Sequence, residues 1–147
     1  MVNSKAKGKR YERHIAKKLT KLTGSEWYRV PGSGMYSTRI GTNDKRFKGD
    51  VYCDEGYDDL VIECKNTKDK LNINTFFNKT GKVKRYIAQS KRESGELPCL
   101  LFININYVGE FLAYPYDYYF DDIFDKVSFS DEELVYDDYV IRKIIKW

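Results

Sequence analysis

A single residue separates a carboxylate from an ammonium at the end of the apolar run Leu60-Val61-Ile62-Glu63-Cys64-Lys65. In a strand, alternate side chains share a face, so Glu63 and Lys65 point one way while Leu60, Ile62 and Cys64 point the other. Charges at the end of a buried strand are costly to place there for packing alone. They make sense as a metal ligand beside a cation that orients or activates a water. Upstream, Gly49-Asp50 leads into a second β-branched run, and Asp50 supplies a second carboxylate if the two strands lie side by side. Two hard oxygen donors at one point suit Mg²⁺, with Mn²⁺ as a substitute, because Mg²⁺ takes few carboxylates, several waters and substrate phosphate oxygens. Glu63-Cys64-Lys65 is the only Asp/Glu-x-Lys among the 147 residues, and it closes a strand signal rather than sitting in a polar loop. That sets it apart from a chance surface ion pair.

The elements that must position these groups are legible in outline. Residues 8–23 read as an amphipathic helix, with Tyr11, Ile15, Leu19 and Leu22 on one stripe and Gly24 as its stop. Glu12 lies beside that stripe, next to Ala16, and so turns toward the core edge. A short strand over 26–30 ends in the turn Pro31-Gly32-Ser33-Gly34. After a polar, basic loop over 35–46, strands 47–53 and 60–65 flank the acidic turn 54–59 and form a hairpin, which brings Asp50 opposite or diagonal to Glu63. A second helix is expected over 74–92, with Phe76, Phe77, Val83 and Ile87 apolar, Gly81 as an interruption and Gln89 as a weaker site candidate. A strongly β run over 98–107 pairs with 110–114. The stretch 116–147 is acidic and aromatic, and its one local signal, Ser130 followed by Glu133, resembles a capping box.

Length and composition point to one domain spanning 1–147, large enough for a real core. No apolar run is long enough to cross a bilayer and no secretory leader is evident, so the expected location is cytoplasmic. Three cysteines without CxxC spacing read as reduced core thiols. The single histidine, His14, reads as a half-exposed helix residue, which leaves almost no material for Ser-His-Asp or His-metal chemistry. The net charge of +4 conceals an asymmetry: residues 1–50 carry 13 Lys and Arg against four acids, whereas 115–147 carry four against nine. A basic half that also holds the candidate site suggests a polyanion lying across it, and nucleic acid is the natural one.

The order Gly8-Lys9-Arg10-Tyr11-Glu12, Arg29-Val30-Pro31-Gly32-Ser33-Gly34, Gly49-Asp50-Val51 and Ile62-Glu63-Cys64-Lys65 resembles the PD-(D/E)XK nuclease superfamily. Within it, the sequence is most similar to the archaeal-type Holliday junction resolvases and their phage and viral relatives. The resemblance covers roughly the first half of the chain, and four spaced motifs in order are far more specific than Glu-x-Lys alone.

That resemblance implies an α/β, restriction-endonuclease-like core, with a central mixed sheet flanked by helices. It implies a Mg²⁺-dependent endodeoxyribonuclease that cuts four-way junctions in DNA recombination and repair. The alternatives are a restriction- or repair-type endonuclease of the same fold acting on duplex, nicked or branched DNA, and a non-catalytic DNA-binding protein. Asp50 and Glu63 would ligate the metal, with Glu12 completing the acidic cluster, and Lys65 would orient the attacking water. Arg13, Arg29 and Ser33 would contact phosphates, and the loop cations Arg39, Lys45, Arg46 and Lys48 would grip DNA. Two cuts on opposing strands of a symmetric junction imply a homodimer with paired sites. A phage-encoded protein of this kind would act inside its host cell. The loop between Gly34 and Gly49 is longer and more basic than in compact resolvases, and the acidic stretch after Pro115 has no counterpart there.

Overall fold

The computed structural model describes residues 4–31, 49–67 and 81–147. Helix α1 (Ser4–Thr23) forms because Tyr11, Ile15 and Leu19 recur every four residues, and all three are buried against the sheet. It stops at Gly24, whose N–H donates to the Thr20 carbonyl at 2.9 Å. Strand β1 (Trp27–Arg29) and strand β2 (Val51–Cys53) pair antiparallel, and β2 pairs antiparallel with β3 (Val61–Thr67). The expected hairpin is therefore present. Its register sets Val51 against Ile62, so one step further places Asp50 opposite Glu63.

Helix α2 (Lys82–Ser94) follows, starting directly after Gly81, the expected interruption, while the expected part over 74–80 lies outside the described residues. Phe76 and Phe77 lie outside the described residues. Val83, Ile87, Ser90 and Ser94 form its buried stripe. The chain returns as β4 (Cys99–Ile105), parallel to β3, and β4 pairs antiparallel with β5 (Gly109–Pro115). These two strands are core: Leu100, Leu101, Phe102, Ile103 and Leu112 are fully enclosed. Each such side chain contributes about 1.5–3 kcal/mol on removal from water.

The acidic stretch holds a single helical turn, α3 (Asp121–Phe124), and a hairpin of β6 (Ser128–Tyr136) and β7 (Tyr139–Lys146). Ser130 and Glu133 lie within β6 and cap no helix. The capping-box reading fails because the β7 pairing, with Ile141 and Ile144 buried, outweighs a local preference. The whole forms a seven-stranded mixed sheet in the order β1-β2-β3-β4-β5-β7-β6. One apolar cluster fills the face under α1 and α3, and a second fills the face under α2. Cys53, Cys64 and Cys99 are buried and free, as expected. Among the described residues no helix is long and apolar enough to cross a membrane.

Candidate active site

Asp50 is fixed by its backbone before its side chain acts. Its N–H donates to the Ile62 carbonyl and its carbonyl accepts from Val30, each at 2.8 Å, so the residue bridges β1 and β3. Gly49 makes this approach possible. Its φ is +83°, and a Cβ there would stand 2.5 Å from the Ile62 carbonyl oxygen and 2.8 Å from Val61 Cγ1. Both the left-handed conformation and the lack of space demand glycine. The Asp50 Oδ2 then accepts the Cys64 N–H at 2.8 Å, which draws its carboxylate onto the strand that carries Glu63.

Glu63 is 4% exposed and Asp50 8%. Burial first, then the charge of Asp50 and a hydrogen bond to it, then Glu93, push the Glu63 carboxyl up to about 10. Two buried carboxylates in contact hold a proton between them unless a cation replaces it. This donor set would suit a hard divalent ion, to which Asp50 and Glu63 could offer two oxygens, the rest of its shell falling to water and substrate oxygens. Among the described residues no group of three or more His, Cys, Asp and Glu is placed to hold a metal together.

Glu12 is buried on α1 and accepts from Arg29 Nε at 2.6 Å. Burial, then the charges of Asp50, Glu12 and Glu63 in that order, raises the Cys64 thiol well above its ordinary value. Glu12, paired with Arg29, thus acts on the same buried thiol as Asp50 and Glu63. Arg29, expected on a phosphate, faces Glu12 here, whereas Arg13 is exposed on α1. Lys65 shares the Glu63 face and places Nζ 5.6 Å from the centre of the Tyr86 ring, within reach of a cation–π contact. Ser33, Arg39, Lys45, Arg46 and Lys48 lie outside the described residues.

Glu93 on α2 escaped the sequence reading, whereas Gln89 on the same helix was its weaker candidate. Glu93 hydrogen-bonds Glu63, and Gln89 Nε2 donates to Glu93 Oε1 at 2.9 Å. Tyr86, Gln89 and Glu93 recur at three- and four-residue spacing beside the buried stripe, a signal that was available once the helix start was known.

The family described as "Phage putative PDDEXK endonuclease" matches residues 3–146. The chain belongs to this family. It is therefore a member of a PD-(D/E)XK endonuclease family, and its mixed sheet with flanking helices is the fold expected of one. A relative, Protein D14 of Escherichia phage T5, is 32% identical over 108 residues, covering 69% of this chain and 64% of that protein. The chain thus spans less than two thirds of the relative it matches. No solved structure matches the chain.

Proposed function

We propose that this PD-(D/E)XK protein is a Mg²⁺-dependent, structure-selective endodeoxyribonuclease that resolves four-way DNA junctions as a homodimer. The observation that carries the chemistry is the buried Asp50–Glu63 contact on paired strands, with Lys65 on the Glu63 face. Asp50 and Glu63 would hold the divalent ion, with Glu12 completing the acidic cluster through water. Bound there, a divalent cation supplies Lewis acidity to the scissile phosphate and lowers the pKa of an attacking water. The chain's own residues do the rest. Lys65 offsets charge building on the phosphoryl oxygens and aligns the nucleophile. Arg29 fixes the Glu12 carboxylate, and Arg13 meets the backbone alongside.

The junction part of the reading rests on charge and symmetry. A basic first fifty residues, including Arg39, Lys45, Arg46 and Lys48, favours a substrate with several duplex arms, and two symmetric cuts call for two sites. The test is a cleavage panel of junction, fork, nicked and linear DNA over a salt series, with Mg²⁺, Mn²⁺, Ca²⁺ or EDTA. Expected are paired cuts in junctions, activity with Mg²⁺ or Mn²⁺, and binding with little turnover in Ca²⁺. Joint neutralisation of the four loop cations should shrink the junction preference more than it slows cutting at saturating DNA. Equal rates on linear and branched DNA would replace junction resolution with a restriction- or repair-type activity. Full activity in EDTA would remove the metal.

A further inference from the structure

Strand β1 is the outer edge of the sheet, and with β2 it carries an aromatic pair that the cleavage chemistry does not use. Tyr28 of β1 and Tyr52 of β2 are directly opposite each other in the antiparallel pair. Their rings lie 5.8 Å apart with 39° between their planes. Alternation along the strands sets their side. Trp27, Val51 and Cys53 belong to the apolar cluster under α1, and Arg29 reaches Glu12 of that helix. Tyr28 and Tyr52 fall between these residues in the chain, so both rings stand on the opposite face. That is also the face of Glu63 and Lys65. Ile62 and Cys64 pack under α1 while Val61 packs under α2, and Lys65 meets Tyr86 of α2.

Register places the pair against the acids. Val51 is set against Ile62, so Tyr52 lies opposite Val61, which is two residues from Glu63, and Tyr52 itself is two residues from Asp50. Two residues of strand span about 7 Å, and β1 stands about 5 Å further toward the edge. Stacked DNA advances about 3.4 Å per nucleotide along one strand, so both rings lie about two to four nucleotides from a phosphate held at Asp50 and Glu63. Helix α2 packs against β3 and β4, whereas Tyr28 at the edge is 43% exposed. A cross-strand aromatic pair steadies a sheet, yet packing buries rings, and this one turns much of its surface to solvent on the face of the acids. A flat π surface beside a phosphodiester-cutting site matches the flat face of a nucleobase.

We propose that Tyr28 and Tyr52 form a base-stacking platform for the strand being cut, taking one unpaired nucleobase about two to four nucleotides from the scissile phosphate. A base lying on Tyr28 holds its strand across Asp50, Glu63 and Lys65. Stacking of this kind accepts any base, so the platform adds affinity without reading sequence. It does select structure, because a base at a branch point or in a single strand reaches the ring at a lower cost than one inside a duplex. The platform rests on the DNA-cleaving reading above and supplies it with a source of preference for branched DNA.

The test uses the full chain and the best-cut DNA of the panel above, with cut sites mapped in Mg²⁺ and binding measured in EDTA so that nothing is cleaved. An abasic nucleotide is then moved one position at a time along the cleaved strand. Tyr28→Leu, which keeps apolar bulk without the ring, should weaken binding of intact DNA about tenfold, and Tyr28→Trp should bind like wild type. The loss should vanish when the abasic nucleotide sits at one position about two to four nucleotides from the cut, because the ring then has no base to hold. Tyr52→Leu should couple to that same position. Tyr28→Leu that binds as tightly as wild type, or a loss that is equal at every abasic position, overturns the platform. So does coupling far from the mapped cut. A loss that follows a lowered melting temperature and that tryptophan does not restore marks a sheet-stabilising pair alone, and also overturns it. Wild type that cuts no DNA overturns the nuclease reading and the platform with it, whereas normal cutting without coupling between ring and base overturns the platform only.

Discussion

A carboxylic acid buried against another acid is costly to ionise, and Glu63 shows the consequence. Its folded value near 10 lies above the ordinary value of about 4.3. The stability tied to its proton is therefore fully present below about pH 4.3 and is lost as pH rises toward the folded value. In EDTA, thermal stability should fall from pH 5 to pH 9, and Glu63→Gln should flatten the fall and raise the melting temperature most at the alkaline end. Mg²⁺ should restore wild type and leave the variant unmoved; a variant that melts like wild type throughout refutes the assignment. The same change, or Asp50→Asn, should abolish cleavage while DNA binding holds or tightens. Asparagine keeps an acceptor for the Cys64 N–H, so loss of cutting would not reflect loss of fold. Substantial Mg²⁺-dependent cutting by both variants would rule out these two as the metal's ligands. The pairing of Asp50 with Glu63 was legible because a hairpin register needs only two strands and a turn. That Arg29 faces Glu12 was not, because that contact joins a helix to a strand 17 residues away.

Among the elements, the turn into β2 is the least tolerant. Gly49→Ala would strain a left-handed backbone and force a methyl group onto the Ile62 carbonyl and Val61. The expected cost is about 2 kcal/mol or more, seen as a lower denaturation midpoint, and the displaced Asp50 should reduce cleavage at least tenfold. A neutral Gly49→Ala would mean that the approach of β2 to β3 is not what positions the carboxylate. Strong local patterns explain which elements could be read in advance. The Tyr11–Ile15–Leu19 stripe and the apolar runs of β3 and β4 each carry their own period. The hairpin of β6 and β7 does not: Ser130 to Glu133 is polar throughout, and it is a strand only because β7 lies beside it. The interruption at Gly81 was legible as well, and the helix Lys82–Ser94 starts directly after it.

For the molecule as a whole, charge is sorted along the sheet. Helix α1 crosses β1, β2 and β3 and carries eight Lys and Arg with one acid between Lys5 and Lys21. At the opposite edge, β6 presents Asp131, Glu132 and Glu133, all exposed. DNA affinity should therefore fall steeply with salt. Asp131→Asn, Glu132→Gln and Glu133→Gln together should raise total DNA binding at low salt while lowering the fraction of encounters that lead to a cut, read by single-turnover kinetics. An unchanged fraction would show that the acidic edge has no part in recognition.

That edge has a second consequence. The pairing of β6 with β7 slips between Ser128 and Glu133, so the outermost strand is kinked where its three acids stand. A kinked, like-charged border cannot accept another strand. Two copies of the chain placed border to border would repel, and the sheet is closed to growth from that side without being closed into a barrel. Aggregation through this border is disfavoured by the same three acids that lie at the sheet edge opposite the basic helix.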